Sequence, residues 1–100
     1  MKIIKERSLS VLTEYGRYRL TYELLESNVR PEEDSAVYYG MRISQTSEEN
    51  SQLFDRCLVR GITEEIGTAR DLFLRAVEGL VMPTSLWDFI DDWQASFTMV

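Results

Sequence analysis

Asp88, Asp91 and Asp92 fall at i, i+3 and i+4 within SLWDFIDDW, a spacing that gathers three carboxylates on one side of a helix. Oxygen ligands placed so could hold a hard cation such as Mg²⁺. The same acids suit the opening turns of a helix, where the backbone dipole stabilises negative charge by about 0.3 to 1 kcal/mol each. We read them as the solvated side of an amphipathic helix, with no metal and no catalytic role, and as a surface offered to a partner. RPEED and SEEN read as solvated loop charge, and Glu32, Glu33 and Asp34 of the first join the surface offered to a partner. Neither has the alternating ligand spacing of a calcium loop.

The sequence contains no histidine, so Ser-His-Asp and Cys-His nucleophiles cannot be assembled within one chain. A single cysteine without histidine cannot build a tetrahedral zinc cage. Neither G-x-x-x-x-G-K nor G-x-G-x-x-G occurs, which removes the common phosphate cradles. A non-enzymatic chain without a cofactor is expected. Cys57 sits in the apolar context RCLV and is read as a small buried hydrophobe, although Arg56 and Arg60 would lower its pKa if it were exposed. A lone cysteine forms no internal disulfide, which fits a reducing compartment. No apolar run approaches the roughly 18 residues that cross a bilayer, and MKIIKERSLSV is too short of apolar residues for a secretory leader. The expectation is a cytoplasmic protein with no membrane contact.

The elements that must position these residues divide the chain in two. Tyr18, Leu20, Tyr22 and Leu24 alternate with Arg17, Arg19, Thr21 and Glu23, the period of a strand with one buried face. SLSVL precedes it, and Gly16 supplies the turn, so residues 3–25 read as a β-hairpin. AVYYGMRIS forms a third strand with Val37, Tyr39, Met41 and Ile43 on one side, and QTSEENS a polar turn. LFDRCLVRGI reads as a fourth strand of ambiguous facing, because Leu53, Cys57 and Val59 compete with Phe54, Leu58 and Ile62 for the inward direction.

Beyond Gly61 the period lengthens to about 3.6. Thr63 suits an N-cap with Glu64 and Glu65 in the first turn, and Thr68 with Asp71 offers a later start. Ile66, Ala69, Phe73, Ala76, Val77 and Leu80 make one stripe ending near Gly79. Pro83 suits the first turn of a second helix whose apolar face is Leu86, Phe89, Ile90, Trp93 and Phe97, with Trp87 at its margin. The fold class expected is α+β. It comprises an antiparallel sheet of about four strands over residues 1–62 and two helices over 63–97 packed on one sheet face, in a single domain of 100 residues.

The formal net charge of −6 is unevenly spread. Residues 1–30 hold six basic and four acidic side chains, residues 31–100 hold five and thirteen, and no cation follows Arg75. Long-range repulsion from phosphate therefore disfavours nucleic acid as a partner unless positive charge gathers locally. One surface offers such a gathering. If Tyr18, Leu20, Val37, Tyr39 and Met41 face the helices, then Arg17, Arg19, Tyr38, Arg42, Arg56 and Arg60, with Phe54, share the opposite sheet face. Arginines interleaved with aromatics resemble single-stranded nucleic-acid platforms, but they equally cover an exposed sheet, a homodimer contact or a protein interface.

YYGMRI, GITEE and VMPTSLWDFIDDW together resemble a family of small uncharacterised bacterial proteins, found mostly in clostridia-like genomes, that end in a Val-x-Pro-x-x-Leu-x-Asp helix. Val81, Pro83, Leu86 and Asp88 match that pattern, and Ile90 and Asp92 continue it. Ser85 departs from it where a histidine is expected, and Trp87 and Trp93 are bulkier than the usual residues. The resemblance implies a fold and no activity.

The functional expectation is a protein-binding or regulatory module that meets a basic partner through its acidic helix and the 31–34 loop. A first alternative is an acidic mimic of nucleic acid that inhibits a nuclease or a CRISPR-type effector. A second is single-stranded nucleic-acid binding on the sheet face.

Overall fold

Strand alternation holds from Tyr18 to Leu24, while the pairing of the first strand shifts register between Ile3 and Lys5. The computed structural model describes residues 1–28 and 37–98. The acidic candidates Glu32, Glu33 and Asp34 lie outside the described residues, as does the side chain of Phe97. Strands β1 (Lys2–Thr13), β2 (Gly16–Asn28), β3 (Val37–Ser47) and β4 (Leu53–Thr63) form one antiparallel sheet in the order β1-β2-β3-β4. Gly16 closes the first hairpin at φ +127°, a conformation that side chains disfavour. Helices α1 (Ile66–Glu78) and α2 (Leu86–Thr98) follow, the second entered through a 3-10 turn at Pro83–Ser85. The α+β architecture expected from the sequence is the one found.

Tyr18, Leu20, Tyr22, Leu24, Met41, Ile43 and Val59 are all buried, and all but Tyr18 belong to one core cluster with Ala69, Leu72, Phe73, Ala76 and Val77 of α1 and Leu86 and Ile90 of α2. Both helices therefore cover the same sheet face. Burying an aliphatic or aromatic side chain of this size is worth about 1.5 to 3 kcal/mol, so this face supplies most of the cohesion of the two layers. Trp93 and Phe89 pack against the cluster from its edge, so Trp93 is a half-buried flank of the core rather than its centre.

Strand β4 resolves its own ambiguity with two irregularities. Thr46 pairs with Leu53 and Gln45 with Asp55, which leaves Phe54 as an extra residue. Met41 then pairs with Val59 but Tyr39 with Thr63, so Gly40 stands against a bulge containing Gly61 at φ +64°. Each irregularity shifts the alternation, and Cys57, Val59 and Ile62 end on the helix side together. Phe54, expected on the opposite face, instead lies against the Tyr18 ring at 5.2 Å between centroids.

Other local expectations are corrected. Helix α1 starts at Ile66, with Glu65 as an N-cap that makes no side-chain cap bond. Thr63 still belongs to β4, and its hydroxyl accepts from the Glu65 amide at 3.1 Å. Leu72 joins the buried stripe, whereas Leu80 leaves it and is 48% exposed. Leu80 sits at φ +51° immediately after the helix. Its amide donates to the Val77 carbonyl and that of Val81 to the Ala76 carbonyl, the paired bonds of a Schellman ending. Gln45 and Thr46 extend β3 rather than opening a turn, and Gln45 is buried. Among the described residues no helix is long and apolar enough to cross a membrane.

Candidate functional site

Because Leu86, Ile90 and Trp93 turn α2 toward the sheet, the helical period sends Trp87, Asp88, Asp91 and Asp92 outward. All four are exposed, Trp87 at 57%. Trp87 and Asp91 are one turn apart, and Asp88 and Asp92 form the next row, so the carboxylates lie along one side of the indole. Asp88 alone lies in the first turn of α2. Among the described residues no three Asp, Glu or Cys side chains converge to hold a metal ion. What this face can do chemically is present negative charge around a large apolar ring.

The sheet face turned away from the helices carries Arg19, Arg42, Arg56 and, toward its other end, Tyr38, and occupies them internally. Glu23 on β2 and Arg42 on β3 are cross-strand partners, and the carboxylate accepts two bonds, from Nε at 2.7 Å and from the terminal nitrogen at 2.8 Å. Arg42 holds the Glu23 carboxyl below its ordinary pKa against the opposing effect of burial, and Arg56 adds to this from farther off. Arg56 donates to the Ser44 hydroxyl at 3.0 Å. Arg19 lies 3.4 Å from Glu48, which also accepts from Ser10. The Glu64 carboxylate nearby raises the pKa of the Tyr38 hydroxyl. Arg17 and Arg60 have no ionic partner among the described residues and are exposed.

Two sequence expectations look different in this light. Tyr18 and Tyr39 face the helices as expected, but of the two aromatics expected among the arginines of the open face Phe54 instead joins Tyr18. Tyr38 is the aromatic left beside the arginines. Cys57 is half-buried, and burial followed by the nearby Asp55 pushes its thiol pKa up, so the neighbouring arginines do not activate it.

A further surface escaped the sequence reading. A groove at the hairpin end of the sheet is lined by Tyr15, Tyr18, Gln45, Phe54 and Met82 with Glu14 and Asp55. Its walls come from four separated segments, and the bulge that places Phe54 there has no clear signature in the residue pattern. The exposed aromatics Tyr15 and Phe54 were the available signal.

Residues 1–96 match a family described as Family of unknown function (DUF6514). No curated protein and no solved structure matches the chain.

Proposed function

Because the chain belongs to DUF6514, a family of unknown function, we propose a role from geometry: a non-enzymatic protein-binding module whose α2 outer face meets a basic partner. The observation that carries this reading is Trp87, 57% exposed on the side of α2 that also bears Asp88, Asp91 and Asp92. Leaving an indole in water forgoes the gain of burying it, and tryptophan is among the residues that dominate interface energies. Carboxylates around it steer a positively charged surface and fix its register. No cation after Arg75 competes for them within that part of the chain. A reducing, cytoplasmic setting agrees with the single half-buried cysteine, and the bacterial origin expected from the C-terminal motif belongs to the same proposal.

The acidic-mimic reading uses the same carboxylates and predicts a different balance of forces. A phosphate mimic binds through charge and weakens steeply with salt, whereas a tryptophan-centred interface does not. The test is capture from nuclease-treated host lysate with the wild-type chain, Trp87→Ala, and the double variant Asp88→Lys, Asp91→Lys. Loss of a basic partner with Trp87→Ala at every salt concentration supports the module. Retention with Trp87→Ala but loss with the lysine variant, and with added salt, supports the mimic. Identical capture by all three chains overturns both.

A further inference from the structure

The hairpin-end groove measures about 500 Å³, the scale of a side-chain or small-ligand site. It runs between the Glu14–Tyr15 turn, the start of β4 and the Met82–Thr84 connection. Three features of its lining are open to an occupant. Phe54 is extruded by a strand irregularity, 64% exposed, its ring tilted 53° against Tyr18. Tyr15 stands at the mouth, 81% exposed. Gln45 is only 6% exposed, yet its amide makes no hydrogen bond with any described residue. No enclosed side-chain nitrogen or oxygen among the described residues lacks a partner, so the surface that the Gln45 amide retains is presented to the groove.

The charge around these groups has one sign. Glu14 and Asp55 line the groove and no lysine or arginine does. An ammonium ion would answer the charge but not the geometry, because it cannot lie flat on rings. A guanidinium answers every feature at once. Its plane stacks on aromatic faces, its five N–H groups reach carboxylates in a fork, and one remains for an amide oxygen. We propose that this groove binds the side chain of an arginine presented by a protein partner. The guanidinium stacks on the exposed Phe54 ring, which Tyr18 backs, donates to Asp55 and to the Gln45 amide oxygen, and is screened from water by Tyr15 and Met82. The site shares no residue with the α2 face, and it stands or falls independently of that face.

The test titrates N-acetyl-arginine methylamide into the full chain and follows backbone amide resonances. N-acetyl-citrulline methylamide is the neutral isostere, and N-acetyl-lysine methylamide carries the charge without the plane. The expected result is saturable shifts confined to the groove residues with the arginine probe, and binding at least about tenfold weaker with either control, a difference of about 1.4 kcal/mol. Asp55→Asn, which keeps the oxygen that accepts from the Arg56 amide, and Phe54→Ala at an exposed position each weaken the arginine probe about tenfold while leaving the remaining spectrum in place. Trp87→Ala leaves arginine binding unchanged, which separates this site from the α2 face. Absence of saturable shifts overturns the proposal, as does citrulline or lysine binding as tightly as arginine.

Discussion

The Tyr22 hydroxyl donates to the Val81 carbonyl at 3.0 Å, tying the middle of β2 to the connection between the two helices. Tyr22 is fully buried, so its phenol is held in the neutral form and its pKa is pushed up to about 12. Val81 is also the residue whose amide completes the ending of α1. One peptide segment thus receives a bond from the sheet and closes a helix, which fixes where α2 begins.

Replacing Tyr22 by Phe removes the donor and leaves the Val81 carbonyl without it, at a cost of about 1 to 2 kcal/mol by chemical denaturation near neutral pH. The pH dependence has a definite sign. A folded pKa raised to about 12 from 10.0 means that the contribution is complete below pH 10 and is lost as pH rises toward 12. The wild-type chain should lose stability across that window more steeply than Tyr22→Phe. Parallel curves for the two chains would contradict the assignment.

Glu23 behaves in the opposite sense. Arg42 lowers its folded pKa, so the stabilisation is present above the ordinary carboxylate value of 4.5 and is lost as pH falls through the lower folded value. Arg42→Ala strands a carboxylate whose side chain is 9% exposed, and should cost about 2 to 3 kcal/mol, less than for a fully enclosed pair because Arg42 itself is 25% exposed. Stability of the Arg42→Ala chain should rise, relative to wild type, as pH drops below 4.5. A difference that stays constant with pH would show that Glu23 is not the group concerned.

Leu80 occupies the left-handed position of the α1 ending at φ +51°, where a β-carbon costs about 1 to 2 kcal/mol. Its side chain is 48% exposed and contributes little burial. Leu80→Gly is therefore expected to raise stability by about 0.5 to 1 kcal/mol, the strain relieved less the added freedom of the unfolded chain. A fall in melting temperature would mean that the leucine packs more than it strains.

Gly40 is required for the opposite reason. A β-carbon there would lie 2.4 Å from the Val59 carbonyl oxygen and 3.0 Å from the Arg60 Cα, both backbone atoms that cannot swing aside. Gly40→Ala must push β3 and β4 apart at the bulge and should cost about 2 kcal/mol or more. Amide exchange of β4 should quicken while that of β1 and β2 changes little.

Legibility in the sequence followed the regularity of the backbone. Strand β2 was readable because Tyr18 to Leu24 runs without interruption against β3, so alternation and facing coincide. Strand β4 was not, because extra residues at Phe54 and around Gly61 change which parity points inward. The same irregularity built the groove and so hid it. The outward placement of Asp88, Asp91 and Asp92 was visible from helical spacing alone, since no backbone irregularity disturbs α2, whereas Trp87, expected at the margin of the apolar face, is 57% exposed. That the arginines of the sheet would be held by Glu23 and Glu48 needed the register, which joins residues about 20 to 30 positions apart and has no local signature.

The order of elements along the chain bears on synthesis. Each strand hydrogen-bonds to the strand made just before it, so the meander can zip together while the ribosome is still working. The residues that roof over Leu20, Tyr22, Met41 and Ile43 are translated after the whole sheet. At about 5 to 20 residues per second, a bare apolar sheet stands open for on the order of seconds before α1 and α2 emerge, the kind of transient exposure that draws chaperones or neighbouring nascent chains. A stop codon just after β4 would make that interval permanent, leaving a sheet that can pair but has nothing to lie against.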